Sequence, residues 1–201
     1  MMPSITDVLF FSLSFVGVPY RWHIDGDAIS GDDKFYSKNA APPTAKDVLA
    51  MDLCIVCSGL INLMRRFMGL TVPGVDGSLG EEGLRWAGTT GIWFEYLESK
   101  GRLEPINLAK KYPKGTLLLR NFANVEDDQG HVAVLLTDES ECILNENIIH
   151  AYADVGYNES IEKGITNVGI TGITRFSYSH NYIPTGYYTH ICMPENWLAI
   201  D

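Results

Sequence analysis

The chain has 201 residues, 46% of them hydrophobic and 20% charged, and carries a formal net charge of −10. That length can bury one core without disulfides or metals, so a single domain over residues 1–201 is expected. The acidic balance removes nucleic acid and anionic membrane from the expected partners, since both need a basic surface.

The most apolar run is Val8 to Val18. No Lys or Arg precedes it, no small-residue cleavage site follows, and it is too short to span a bilayer. It is read as a buried helix over 5–17, capped by Ser4 or Thr6. With neither a signal nor a membrane span, the cytoplasm is the default location and no stable membrane insertion is expected. Residues 24–43 are polar and rich in Asp, Gly and Pro, hence loop. The stretch 24–53 reads as a polar insert. Its acidic part, Asp25 to Asp33, lacks the spacing of a calcium loop and is read as solvated. Thr44-Ala-Lys-Asp47 is a capping-box pattern, starting a short helix that runs to about Met51.

From Cys57 to Met68, the apolar residues Leu60, Ile61, Leu63, Met64, Phe67 and Met68 recur at helical spacing. Asn62, Arg65 and Arg66 take the other face, and Gly69 is a good C-terminal cap. Ser78-x-x-Glu81 is another capping pattern, and residues 91–100 read as a helix ended by Gly101. Short β-like runs follow at Thr116–Phe122, His131–Thr137, Cys142–Leu144, Ile148–Tyr152, Gly172–Tyr178 and Tyr187–Met193. Helices first and strands after predict an α+β fold, an antiparallel sheet packed against the Cys57 helix. The aromatics Phe176, Tyr178, Tyr182, Tyr187 and Tyr188 are read as sheet packing.

Cys57 and Ser58 begin the most regular helix. A cysteine there meets unpaired N–H groups and the positive end of the helix dipole, which favour a thiolate. The Cys57 N–H is well placed for a developing oxyanion. A base is then needed. His131 opens the strand HVAVLL, and His150 ends the run NIIH; adjacent antiparallel strands would bring the two together. Other chemistries use the same residues. Cys54-Ile-Val-Cys57 is a C-x-x-C, as in redox sites, although no βαβ pattern precedes it. Cys54, Cys57 and His131 or His150 could form a zinc set, but Cys142 and Cys192 supply no second close pair. No metal or cofactor is expected. An inactive binding module keeping the fold is a further alternative.

Five segments resemble the NlpC family of papain-like cysteine peptidases. Phe15-Val-Gly-Val-Pro-Tyr-Arg-Trp22 is similar to the family's segment after its first helix. Val56-Cys57-Ser58-Gly59-Leu60 resembles its "DCSGL" nucleophile motif. Gly130-His131-Val132-Ala133-Val134 and Ile149-His150-Ala151 resemble its "GHVGIY" and "xIHA" strands. Lys114 to Leu118 resembles the "PGDLVFF" strand. The resemblance implies a papain-like fold and a Cys57–His131–His150 triad that hydrolyses an amide through an acyl-enzyme, in cell-wall peptides. It implies Tyr20 as an oxyanion or substrate contact, with Ser58 beside it. The family's aspartate falls on Val56. An amidase, esterase or acyltransferase acting on a lipid or protein-conjugate acyl group is the alternative. The oligomeric state is left open.

Overall fold

The computed structural model describes residues 3–20, 41–51, 54–74, 88–121, 130–153, 169–182 and 187–199. Residues 41–51 of the expected insert lie inside this set. The rest of it, the Asp25–Asp33 stretch and the Ser78-x-x-Glu81 pattern lie outside the described residues.

Helix α1 (Ile5–Leu13) starts at Ser4. The Ser4 hydroxyl accepts from Asp7 N–H, and the Asp7 carboxylate accepts Ser4 N–H at 2.7 Å. The helix ends before the expected residue 17. Gly17 N–H donates to the Thr171 carbonyl and Thr171 N–H to the Val18 carbonyl, so the sheet takes over the backbone here. Strand β1 (Pro19–Tyr20) follows. Helix α2 (Ala45–Ala50) repeats the reciprocal box with Thr44 and Asp47. Helix α3 (Cys57–Phe67) and helix α4 (Thr90–Ser99) lie close to their expected spans, each followed by a glycine at positive φ.

The strands are β2 (Glu104–Pro105), β3 (Leu117–Arg120), β4 (His131–Leu135), β5 (Asn147–Ala153), β6 (Gly169–Arg175) and β7 (His190–Cys192). They join β1 in one antiparallel sheet of order β1-β6-β5-β4-β3-β7-β2. With the helices, this makes the fold α+β. Two-residue strands, β1 and β2, stand at the two edges of the sheet.

Both sheet faces are apolar, which is why β3 and β4 read as continuous hydrophobic runs rather than alternating ones. Val132, Val134, Ile149 and Ala151 pack with Leu60, Ile61 and Met64 of α3. Each such buried side chain contributes about 1.5–3 kcal/mol. Ala133, Leu135 and Ile148 face the other way, into a second cluster with Phe176 and Tyr188. Alternation assigns His131 and His150 to that second face.

Three local expectations are corrected. Cys142–Leu144 is not a strand; residues Ile143–Asn145 form a 3-10 turn. The Glu146 carboxylate accepts from the Thr137 hydroxyl and Ser140 N–H, folding the segment back on itself, and Ile143 is buried beneath it. The run Gly172–Tyr178 divides: β6 stops at Arg175, and helix α5 (Phe176–Tyr182) begins. Phe176, Ser179 and His180 of α5 are buried, a helical spacing masked by the apparent alternation of Phe176 and Tyr178. The polar face of α3 is also buried. Asn62 bridges the Trp93 indole N–H (2.7 Å) and the Gly88 carbonyl (3.0 Å). The Arg65 guanidinium donates to the carbonyls of Thr71 and Trp197. Trp197 ends a short helix α6 (Pro194–Trp197) that sequence reading did not foresee.

Candidate active site

Cys57 is the first residue of α3, behind Val56, whose side chain caps nothing. The next residues on the helix, Ser58 and Gly59, are small, and all three are buried. Around the sulfur, the Thr90 hydroxyl lies 3.5 Å from Sγ, and the backbone N–H groups of Val132 and Ser58 donate toward it. Arg120 adds a positive charge at longer range. Burial nevertheless dominates and pushes the thiol above its ordinary range; the Thr90 hydroxyl, the two N–H groups and Arg120 pull the other way. The helix start supplies donors that favour the anion, and burial works against them.

Gly130, at φ +76°, turns the chain into β4, and this left-handed residue sets His131 as the first residue of the strand. The β4–β5 register pairs Val134 with Ile149, leaving His131 and His150 one diagonal step apart on the same face. Their rings meet, with His131 Nε2 3.0 Å from His150 Nδ1. His150 Nε2 lies 2.9 Å from the Thr174 hydroxyl. Burial first, and then the nearby His131, hold His150 well below the ordinary imidazole range, which favours its neutral form. The Tyr188 hydroxyl lies 3.5 Å from His150 Nδ1 and 3.0 Å from the Ser179 hydroxyl. The Tyr188 ring lies against that of His131, with centroids 5.8 Å apart.

The thiol meets this cluster at the first residues of β4. Val132, whose N–H faces Sγ, directly follows His131. Cys57 and Arg120 both lie near enough to bear electrostatically on the Tyr188 phenol, at the same end of the sheet. Arg120 sits opposite His131 in the β3–β4 register. Tyr20 is buried in the same core cluster as Cys57 and packs on Gly169 of β6. Ile55 N–H donates to the Pro19 carbonyl at 2.9 Å, joining β1 to the approach to α3. Ser58 contributes its backbone N–H.

Sequence reading does not point to Thr90, Arg120 or Thr174 as site residues. A charge ending the apolar strand LLLR was the one visible signal, for Arg120. Tyr188 was read as packing; it is buried as expected, and it also carries a polar contact to the histidine pair.

All four cysteines are free thiols, Cys54 and Cys57 included. Among the described residues, no three of His, Cys, Asp and Glu converge as metal ligands, so the zinc set of Cys54, Cys57 and a histidine is not assembled. No described helix is long and apolar enough to cross a membrane. No family model, curated protein or solved structure matches the chain.

Proposed function

We propose that this chain is a papain-like cysteine hydrolase that cleaves an amide bond through an acyl-enzyme. The observation that carries the reading is the His131–His150 pair, in contact at 3.0 Å, at the strand end where the buried Cys57 sulfur meets Val132 N–H. The motif resemblance to the NlpC family supports the same roles.

Burial keeps the thiol neutral at rest. On attack, His131 Nδ1 takes the thiol proton as Sγ bonds to the carbonyl carbon. The Cys57 N–H stabilises the oxyanion. The tetrahedral intermediate collapses, the C–N bond breaks, and His131 returns the proton to the leaving amine. Water then hydrolyses the thioester, with His131 as base again. His150, neutral and behind His131, orients its ring.

Peptides of the cell-wall type are the substrates that the NlpC resemblance suggests. Val56 favours a second reading: it is buried directly before the nucleophile and offers no carboxylate for a free amino terminus. An acyl group on a lipid or protein conjugate would suit that apolar approach. A panel of peptidoglycan stem peptides and acyl esters, run with wild type and Cys57→Ala, separates the two. Stem-peptide cleavage by wild type alone supports the first reading, and ester cleavage alone supports the second. If neither is cleaved and Cys57 resists iodoacetamide at neutral pH, the hydrolase reading fails.

A further inference from the structure

General-base catalysis by His131 through Nδ1 requires its proton on Nε2. That proton must then be accepted by His150 Nδ1, so the tautomer of His150 sets the tautomer of His131. We propose that Thr174 is a positioning residue that fixes His150 in the Nε2–H form by accepting its proton. This inference rests on the reading of His131 as the base.

The sheet register builds the arrangement. Gly172 lies directly opposite His150, and Thr174 lies opposite Ile148, one diagonal step away on the same face. Gly172 presents no side chain there; a Cβ would come within 3.2 Å of the Tyr152 ring. Tyr152 stacks on His150 at 4.3 Å between centroids, which holds the imidazole plane. The edge of the ring then reaches Thr174 Oγ1 at 2.9 Å. A β-branched threonine in a strand has restricted χ1, so that oxygen is held in place.

The other ring nitrogen makes the same choice. His150 Nδ1 faces both His131 Nε2 and the Tyr188 hydroxyl, itself held by Ser179. The single in-plane lone pair at Nδ1 accepts from His131 Nε2 at 3.0 Å, with the Tyr188 hydroxyl the longer contact at 3.5 Å. A proton at Nδ1 would instead force His131 to carry its own proton on Nδ1, where it could not act as base.

The test combines nitrogen-15 NMR of the histidine rings in the full chain with mass-spectrometric timing of iodoacetamide alkylation at Cys57. Wild type should show His150 unprotonated at Nδ1 and protonated at Nε2. Thr174→Val should mix the tautomers and slow Cys57 alkylation about tenfold, and Thr174→Ser should restore both. A wild-type His150 protonated at Nδ1, or an unchanged tautomer in Thr174→Val, overturns the proposal. The expected tautomers with Cys57 inert in all three proteins would uphold the Thr174 role and remove the hydrolase reading instead.

Discussion

Helices α1, α2 and α4 begin with a hydroxyl side chain, Ser4, Thr44 or Thr89, that accepts a backbone N–H of the first turn; α3 begins at Val56, which accepts none. In α1 and α2 an aspartate at the third helical position completes the box, and its carboxyl sits below the ordinary range because the serine or threonine hydroxyl and N–H bond to it. Those starts are exposed and use their donors to stop the helix fraying. The start of α3 is buried, and its Ser58 N–H donates toward the Cys57 sulfur. The same backbone geometry caps three helices and, on the proposed hydrolase reading, serves chemistry at a fourth.

The sharpest way to break this contrast is Cys57→Ala. Hydrolysis should fall by at least about 10³-fold, with the melting temperature little changed, because no cap is removed. Unfolding of the variant would instead make Cys57 a structural residue.

Acid should act on the other half of the site. The pKa of His150 is depressed in the fold, so its neutral form contributes stability that is fully present above the ordinary imidazole value of about 6.5. That stability is lost as pH falls toward the lower folded value, since the unfolded chain takes up the proton first. The melting temperature should therefore drop below pH 6.5, and the drop should be smaller in His150→Gln. Equal slopes in the two proteins would show that the pair does not govern acid stability.

The smallest effects come from exchanging the two kinds of helix start. Ser4→Ala should cost about 1 kcal/mol and leave Cys57 alkylation unchanged. Val56→Ser should give α3 a cap; the Val56 Cγ2 atom already lies 3.4 Å from where a Cβ on Gly59 would stand, close to the first-turn donors. The gained cap, about 1 kcal/mol, is offset by the lost burial of the Val56 side chain, so thermal melts should show no net stabilisation, while Cys57 alkylation, read by peptide mass spectrometry, should slow a few-fold.

Local signals were legible where they are short-range. The α1 cap at Ser4 or Thr6, the Thr44 box, the apolar spacing of α3 and the terminal glycines all act within a few residues, and the helices follow them. The meeting of His131 and His150 was also legible, because adjacent antiparallel strands and period-two alternation suffice to join them. What was not legible depends on distant partners. Asn62 and Arg65 look like surface residues until Trp93, Gly88 and Trp197 arrive to bond them. Thr174 and Tyr188 reach His150 only through the register of β6 and the placement of the chain before β7. The upward shift of the Cys57 thiol arises from burial by several elements, which no helix-start argument contains.

The central claim is that Cys57 attacks with His131 as its base. Its most direct measurement is acylation by p-nitrophenyl acetate, mapped by mass spectrometry in wild type and His131→Ala. The account predicts an acetyl group on Cys57 in wild type, formed at least about a hundredfold more slowly without His131. An acetyl group elsewhere in wild type, or equal rates of Cys57 acylation in the two proteins, would contradict it.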